Sequence, residues 1–349
     1  MSPIKGRKIL LIGGAGFIGH HLALHLKEQG ADVSIIDGLN VNNLLYLHST
    51  NQPVKNRELY IRFINERLDL LHHANIPLFV QDVRDYHKLS YLMNAIKPQV
   101  VILLAAVAHA NRSNKDPYST FDHSLRTLEN ALDNAKDGAE HFIYFSSSMI
   151  YGHFLADSVD ENTPCDPLGI YGSLKYSGEK IVKAYHQAFG LTYTIVRPSA
   201  LYGERCISGR VGQLFIESAI KGESITIEGG GEDKLDFTYI RDLVQGIQNV
   251  IENKNSHNET FNLTYGESRS IGQMAEIIKE HFPAIKINYV PKDKLTPHRG
   301  TLCVDKARKM LGYNPQHPLE NGFVHYINWY KSLLDKTQSK EAYAENRVF

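Results

Sequence analysis

The segment Tyr-Gly-Ser-Leu-Lys at 171–175 places a phenol and an ammonium group four residues apart. Four residues make about one turn of an α-helix, so Tyr171 and Lys175 would lie on the same helix face. A phenol with a pKa of about 10 is a poor base at neutral pH, but a neighbouring lysine cation favours its phenolate. This pair therefore predicts a general base that removes a proton from a substrate hydroxyl.

Three consecutive serines at 146–148 could provide a partner for that base. They directly follow an apolar run at 142–145, which is typical of a buried strand. Open parallel sheets bind their ligands at the carboxyl ends of the strands. A serine hydroxyl at this point could therefore hold the substrate hydroxyl whose proton Tyr171 removes.

A glycine-rich loop joins the first predicted strand to the first predicted helix. Gly13 would form the tight turn, Gly16 would let the backbone approach a pyrophosphate, and Gly19 would let the helix pack closely on the strand. Asp37 ends the second predicted strand, 18 residues after Gly19. An acid at that point binds the ribose 2′-hydroxyl and repels a 2′-phosphate, so the sequence predicts NAD rather than NADP as the cofactor.

The elements that would position these residues alternate between short apolar runs and helical stretches. This alternation is typical of an α/β fold, a Rossmann-type doubly wound parallel sheet with helices on both faces. The predicted strands cover 8–12, 33–36, 78–80, 100–104 and 142–145, and the first helix covers 17–29.

The interval between the second and third strands, at 40–76, is longer than a compact crossover requires. Apolar residues at helical spacing predict a helix over 56–74, and a loop or short helix precedes it. After Arg197-Pro198 the elements become shorter and glycine-interrupted, which favours a smaller mixed α/β domain. We expect an NAD-binding domain at 1–198, a substrate domain at 199–335 with possible chain crossovers and a last helix at 319–334, and a fraying tail at 336–349.

Composition excludes several classes of protein. With 38 Lys+Arg against 38 Asp+Glu, the chain lacks the cationic surplus of a protein that coats nucleic acid. Cys165, Cys206 and Cys303 lie far apart, which favours a reducing compartment over a disulfide scaffold. No run of 18 apolar residues predicts a membrane span. We expect a cytoplasmic protein without a metal site, because the pair His21 and His25 lacks a carboxylate partner.

Together these motifs resemble the extended short-chain dehydrogenase/reductases of the nucleotide-sugar epimerase/dehydratase family, such as UDP-glucose 4-epimerases. The matching segments are Gly-Gly-Ala-Gly-Phe-Ile-Gly (13–19), Asp37, Asp82-Val83, Leu-Ala-Ala (104–106), Ser-Ser-Ser-Met-Ile-Tyr-Gly (146–152), Tyr-Gly-Ser-Leu-Lys (171–175), Arg197-Pro198 and Leu-Gly-Tyr-Asn-Pro (311–315). The resemblance implies bound NAD, a nucleoside-diphosphate sugar held by the C-terminal domain, and a homodimer built from two helices per subunit.

The resemblance also implies roles for individual residues. Ser147 takes the place of the catalytic serine, Tyr171 that of the base and Lys175 that of its partner. The implied cofactor contacts are Gly13, Gly16, Phe17, Ile18, Gly19, Asp37, Asp82, Val83, Ala105, Ala106, Lys175 and Pro198. The expected substrate contacts are Ser148, His109, Arg210, Lys234 and Arg299. The chain departs from the family pattern at His123, Ala200 and Leu235, and because a polar contact to the diphosphate is lost at Ala200, we expect the three cations to bind the diphosphate instead.

The two residues after Ser147 discriminate between reactions. Relatives that resemble 4,6-dehydratases carry Asp-Glu there, and those that resemble glucuronate decarboxylases carry a nearby Glu. In this chain the positions hold Ser148 and Met149, neither of which can act as the extra acid or base. The leading interpretation is 4-epimerisation through a 4-keto sugar. The alternatives are a dehydratase, a 4-keto-sugar reductase, an epimerase at another carbon, or a regulatory protein that binds the cofactor without catalysis.

Overall fold

A computed structural model of the chain describes residues 4–41, 43–106, 110–292 and 296–345. Its strands are β1 (Lys8–Ile12), β2 (Asp32–Asp37), β3 (Leu78–Val80), β4 (Val100–Leu103), β5 (His141–Phe145), β6 (Ser158–Val159), β7 (Tyr193–Arg197), β8 (Leu201–Tyr202), β9 (Ile225–Glu228), β10 (Lys234–Leu235), β11 (Thr238–Tyr239), β12 (Glu259–Asn262), β13 (Arg269–Ser270), β14 (Ile287–Val290) and β15 (Thr301–Leu302).

The α-helices are α1 (Phe17–Glu28), α2 (Leu44–Ser49), α3 (Arg57–His73), α4 (Tyr86–Ile96), α5 (Ala110–Lys115), α6 (Pro117–Phe121), α7 (Thr127–Ala135), α8 (Gly169–Phe189), α9 (Val211–Ile220), α10 (Ile240–Glu252), α11 (Ile271–His281), α12 (Asp305–Leu311) and α13 (Leu319–Glu345). A π-helical turn, Asp122–Arg126, joins α6 to α7, and a 3-10 turn, Ser148–Tyr151, follows β5.

The central sheet has seven strands in the order β12-β7-β5-β4-β1-β2-β3, and each neighbouring pair is parallel. From β1 the chain winds outward first through β2 and β3, and then in the opposite direction through β4, β5 and β7. The strand order therefore reverses beside β1, where parallel sheets open a crevice at their carboxyl ends. The predicted Rossmann-type α/β fold is confirmed.

Side chains alternate between the two faces of the sheet along each strand, and both faces are covered by apolar clusters. In β1, Ile9 and Leu11 face one apolar cluster, while Leu10 and Ile12 face the other. Because both faces are covered, every one of these four side chains is fully buried. This explains why the strands appear in the sequence as continuous apolar runs rather than as alternating ones.

The second half of the chain is joined to the sheet by a crossover. Strand β12 returns to pair with β7, and α10 packs against α1. The remaining strands form two-stranded ribbons, β8 with β11, β9 with β14, β10 with β13, and β6 with β15. The last ribbon connects the segment after the serines to the segment after Arg299.

The insert at 40–76 contains the short helix α2 and the 17-residue helix α3. Helix α3, predicted over 56–74, packs against α1. On its other side Phe63 contacts the rings of Trp329 and Tyr330 in α13. The insert therefore touches both the N-terminal half of the fold and the C-terminal half.

Helix α13 begins where the sequence predicts it, at Leu319, but it continues to Glu345. The predicted end at residue 334 is therefore wrong, and much of the segment that we expected to fray is helical. Polar residues such as Lys, Gln and Glu are good helix formers, so a polar extension can prolong a helix without adding an apolar face.

Candidate active site

The glycine loop at 13–16 connects β1 to α1 at the carboxyl edge of the sheet. Gly13 has a φ of +84°, and a Cβ there would lie 2.6 Å from the Ala105 nitrogen. A Cβ on Gly19 would lie 2.5 Å from the Gly14 Cα, whereas one on Gly16 would meet only the Gly13 oxygen, at 3.5 Å. Gly13 and Gly19 are thus required by packing, while Gly16 leaves an open face beside the N-terminus of α1. Unpaired N–H groups at a helix N-terminus are donors for an anion.

Asp37 ends β2 next to this loop. One carboxylate oxygen accepts from the Ala15 N–H at 2.9 Å, and the other accepts from the Leu39 N–H at 2.7 Å. Burial raises the pKa of Asp37, while these hydrogen bonds and the charge of Arg67 act to lower it. The carboxylate is therefore held in a fixed orientation at the end of the strand, where the sequence places a ribose-binding acid.

A cavity of about 430 Å³ lies at the carboxyl ends of β1, β2 and β4. Of the predicted site residues, it is lined by Gly13, Gly16, Phe17, Ile18, Gly19, Asp37, Asp82, Val83, Ala105, Ala106 and Arg210. His123, which the sequence indicated only as a departure from the family, also lines the cavity. Further lining residues that no sequence motif indicates are Asn40, Val41, Arg67, Ser119, Thr127, Ile207 and Ser208. Its volume is within the range of small-molecule sites.

Asp82 forms part of the wall of this cavity and does not cap the following helix. The cap of α4 is Asp85, whose side chain accepts from the Lys88 N–H. Arg84 pairs with the Asp82 carboxylate at 2.6 Å and with Asp122 of the π-helical turn, also at 2.6 Å. The hydrogen bonds from Arg84 hold the pKa of Asp82 below its ordinary value. The position of Asp82 is thereby fixed relative to the π-helical turn that carries His123.

The candidate catalytic groups meet between β5 and α8. Burial raises the pKa of the Tyr171 phenol, whereas a hydrogen bond from Ser147 and the positive charge of Arg210 act to lower it. The backbone places Ser147 as the cap of the 3-10 turn, with its Oγ accepting from the Met149 N–H at 3.2 Å. The structure therefore brings Ser147, Tyr171 and Arg210 together, and Arg210 also lines the cavity.

Lys175 lies one helical turn after Tyr171 and is 8% exposed. Its Nζ donates to the Phe145 carbonyl oxygen at 2.6 Å, at the end of β5. Burial lowers the pKa of Lys175 to about 8, and Glu179 acts in the opposite direction. Glu179 is in turn held by two hydrogen bonds from Arg197 of β7, at 2.9 and 2.7 Å, so the catalytic helix is anchored to the sheet.

The three predicted cations have different surroundings. In the described part of the chain, the Nε atoms of Arg210 and Arg299 are buried without a hydrogen-bond partner. Burial lowers the pKa of Arg299 to about 10, with Asp233 as the opposing charge. Lys234 is exposed on β10, and of the three cations only Arg210 lines the cavity described above. Two of the three cations thus have an unused donor, as a bound anion requires.

Other predicted contacts lie close to the serines. The Ser148 Oγ donates to Ser199 at 3.1 Å, and its N–H donates to the Pro198 carbonyl at 3.0 Å. Ala200, at a position where the family has an Asn, has a φ of +35°. An Asn tolerates the left-handed region better than an Ala. His109 lies outside the described residues.

The chemistry of these residues fits NAD. The open face of Gly16 and the N-terminus of α1 suit a pyrophosphate, and the oriented carboxylate of Asp37 suits a ribose diol. No group of three His, Cys, Asp or Glu within the described residues could hold a metal ion. No described helix is long and apolar enough to cross a bilayer.

Comparisons with known proteins find relatives similar over almost the whole chain. A putative UDP-glucose 4-epimerase of Methanocaldococcus jannaschii is 31% identical over 331 residues, covering 93% of this chain and 98% of the relative. The crystal structure of a Thermotoga maritima UDP-glucose 4-epimerase with UDP-glucose superposes with a TM-score of 0.81 at 27% identity, covering 93% of this chain and 99% of that one. A Bacillus cereus UDP-glucuronic acid 4-epimerase in complex with UDP-glucuronic acid and NAD gives 0.82 at 26% identity, with the same coverage.

The sequence model of one family covers most of the chain. The model of the NAD-dependent epimerase/dehydratase family matches residues 9–264, which include the glycine loop, Asp37 and the Ser147, Tyr171 and Lys175 set. The chain therefore belongs to the NAD-dependent epimerase/dehydratase family, whose cofactor is NAD.

Proposed function

We propose that the protein epimerises a nucleoside-diphosphate hexose at C4 through a transient 4-keto sugar. The observation that supports this most strongly is that Ser147 and Tyr171 lie close to Arg210, which lines the cavity, although Ser147 and Tyr171 do not line it themselves. NAD, when bound, accepts the C4 hydride and returns it. The protein must therefore remove a proton from the C4 hydroxyl and later restore it.

Tyr171 is the group that moves this proton. Its phenolate accepts the hydroxyl proton as the ketone forms, and its phenol gives the proton back when the ketone is reduced. Ser147 donates to the phenolate and can hold the same substrate oxygen. The positive charge of Arg210 favours the phenolate further, which partly offsets the effect of burial.

Lys175 contributes its charge from one helical turn away. With a pKa of about 8, it remains mostly cationic at neutral pH in spite of its burial. Among the described residues, the Lys175 Nζ donates one hydrogen bond, to the Phe145 carbonyl oxygen, whereas an ammonium group has three N–H donors. The remaining donors can bind ribose hydroxyl groups of the cofactor and favour the phenolate of Tyr171.

The residues after Ser147 favour epimerisation over dehydration. Loss of water across C5 and C6 needs an acid and a base beside those carbons. The Ser148 Oγ is engaged with Ser199, and Met149 has no ionisable group. A dehydratase remains the second candidate because other members of the family carry out that reaction on the same scaffold, and the test below separates the two.

The nucleoside diphosphate would be bound by cations of the second half of the chain. Arg210 and Arg299 each have a buried Nε without a partner among the described residues. A buried N–H donor without an acceptor is unfavourable, so a diphosphate that supplies oxygen acceptors to these Nε atoms would bind favourably. Lys234 is exposed and can act only at the edge of such a site.

We also infer that the protein is a homodimer. Helix α6, which contacts α8, leaves Tyr118 87% exposed and Phe121 50% exposed. Large exposed aromatic side chains are typical of protein–protein interfaces. Sedimentation equilibrium should give twice the chain mass, and replacing both aromatics by Asp should give the monomer.

The test of the proposed reaction is proton NMR of the purified protein with a panel of UDP- and dTDP-hexoses, without added cofactor. We expect a mixture of C4 epimers and no net production of NADH. Tyr171→Phe should retain NAD but lose turnover by about a hundredfold or more. A 4-keto-6-deoxy product would instead identify a dehydratase, and a requirement for stoichiometric NADH would identify a reductase.

A further inference from the structure

The two groups of the proposed proton transfer belong to different elements of the fold. Ser147 caps the 3-10 turn at 148–151, whereas Tyr171 lies on helix α8. The turn and the helix pack directly on each other, because a Cβ on Gly172 would lie only 2.8 Å from the Met149 carbonyl oxygen. Such packing limits how close the two elements can come, whereas hydrogen bonds between them are needed to keep them from separating.

Arg197 of β7 forms hydrogen bonds with both elements. Its Nε and one terminal nitrogen donate to the Glu179 carboxylate of α8 at 2.9 and 2.7 Å, and the other terminal nitrogen donates to the Tyr151 hydroxyl at 2.8 Å. Tyr151 is the last residue of the 3-10 turn, and Glu179 lies about two helical turns after Tyr171. One guanidinium group thus holds the element that carries the serine and the element that carries the base.

The Tyr151 hydroxyl has a second partner on another strand. It donates to Oδ1 of Asn262 in β12 at 2.8 Å, and Nδ2 of Asn262 donates to the Cys303 carbonyl at 3.1 Å. Because the hydroxyl accepts one hydrogen bond and donates another, its position is fixed from two sides. The end of the turn is therefore attached to β7 and to β12, two neighbouring strands of the central sheet.

The four side chains of this network, Tyr151, Glu179, Arg197 and Asn262, are all buried. None of them is more than 4% exposed. A buried ion pair adds little net stability over apolar side chains of similar volume, because desolvation opposes the attraction between the charges. A buried network whose members all have partners does, however, hold its elements in one arrangement. The network therefore suits a position where the relative placement of two elements matters.

We propose that Tyr151 is a positioning residue for the proton transfer at Tyr171. Through Arg197 and Glu179, its hydroxyl keeps the turn that carries Ser147 against the helix that carries the base. Tyr151 does not line the cofactor cavity, so it acts through the serine rather than by contact with NAD. This inference deepens the proposed function, on which it rests.

The test is a double-mutant cycle of Tyr151→Phe and Ser147→Ala, since only residues that act through each other give effects that do not add. Tyr151→Phe keeps the ring and removes the hydroxyl. Tyr313→Phe is the matched control, because Tyr313 is also buried and its hydroxyl donates at 2.8 Å to the Thr264 carbonyl rather than to a group on α8, β7 or the turn.

Two quantities are measured for each variant. The first is the pair of constants kcat and KM for the NDP-hexose. The second is the pKa of the Tyr171 phenol in the NAD-bound protein, obtained from the difference in phenolate absorbance between each variant and the same variant carrying Tyr171→Phe. The absorbance measurement uses no sugar, so it still tests the inference if the proposed C4 epimerisation is disproved.

We expect Tyr151→Phe to lower kcat about tenfold while KM and the NAD content stay within about twofold of wild type, because alignment changes and binding does not. Because the Ser147 hydroxyl favours the phenolate, poorer alignment should also raise the pKa of Tyr171. In the Ser147→Ala background, Tyr151→Phe should change neither quantity further. Tyr313→Phe should leave both quantities unchanged.

Two results would overturn the proposal. One is a Tyr151→Phe variant with the kcat and the Tyr171 pKa of wild type. The other is an equal loss of kcat with and without Ser147, which is the result of a general structural defect. If Tyr151→Phe does not fold, Arg197→Lys replaces it in the same cycle, because a lysine keeps a cation for Glu179 but lacks the planar fork that reaches both partners.

Discussion

The ammonium group of Lys175 lies next to the end of β5 and donates a hydrogen bond to the Phe145 carbonyl oxygen. Its pKa of about 8, against an ordinary value of 10.5, means that folding favours the neutral amine. The charged form therefore destabilises the folded state at every pH below about 8. This effect decreases between pH 8 and 10.5 and is absent at higher pH. The proposed reaction requires a cation at position 175, where stability alone would favour an apolar residue.

Lys175→Met should accordingly remove activity and raise stability. A pKa shift of this size means that the lysine charge lowers the free energy of unfolding by about 3 kcal/mol below pH 8. Replacing Lys175 also removes its hydrogen bond to the Phe145 carbonyl, which reduces the gain by about 1 kcal/mol. We expect cofactor-free Lys175→Met to unfold with a free energy about 2 kcal/mol higher than wild type at pH 7. At pH 10 the advantage should be gone. Urea titrations at the two pH values measure this, and an equal gain at both would show that the lysine charge is not responsible.

Individual site residues could be predicted from sequence to the extent that a motif surrounds them. The glycines, Asp37, Asp82 and the neighbouring Val83 lie on the cavity wall, whereas Lys175 and Pro198, also predicted to contact the cofactor, do not line it. Arg210 had only its charge as a signal, yet it lines the cavity. Arg67 could not be predicted, because an arginine on an amphipathic helix is usually a solvent-exposed charge. Its burial comes from tertiary packing, which surrounds it with α1, the 204–206 segment and Tyr326 of α13.

At the level of secondary structure, helix α3 connects the two halves of the chain through a buried carboxylate. Glu217 of α9 is 2% exposed and accepts hydrogen bonds from Tyr60 at 3.0 Å, Gln213 at 2.9 Å and Tyr330 at 2.9 Å, and also from Asn56. The donors come from α3 and the residue that precedes it, from α9 and from α13. One side chain thus holds three helices together.

Replacing this carboxylate should destabilise the protein strongly. Glu217→Ala leaves several buried donors without an acceptor, and we expect a loss of about 3 kcal/mol in the free energy of unfolding. Glu223→Ala is the control, because it breaks another link from the insert to the segment after α9, the ion pair with Lys55, whose side chains are about half exposed. That change should cost less than about 1 kcal/mol. Similar losses in both variants, measured by urea unfolding, would contradict the role given to Glu217.

The elements themselves were predictable where the apolar pattern was strong. The strands before the insert and the helix within it follow from runs and periodicity. The pairing of β12 with β7 could not be predicted from the sequence, because strand order depends on contacts between residues far apart along the chain. The extension of α13 was missed for a related reason, since a polar helix has no apolar face to indicate it.

For the whole molecule, the crossover of β12 and the contacts of α3 predict that the two halves unfold together. The chain has one tryptophan, Trp329, which packs on Phe63 of the insert. Its fluorescence reports the C-terminal half, and release of bound NAD reports the cofactor site. We expect both signals to change at the same urea concentration. A change at Trp329 while NAD is still bound would show that the halves are independent.

In the proposed reaction, Tyr171 and Ser147 support reversible oxidation at C4 of a nucleotide sugar. The most direct measurement uses an NDP-hexose carrying deuterium at C4 and follows both epimers by NMR and mass spectrometry in ordinary water. If the hydride leaves C4 and returns to it within one active site, both epimers keep the deuterium and the protein ends the cycle with oxidised NAD. Loss of the label to solvent, or its appearance at another carbon of the product, would contradict the proposed C4 epimerisation.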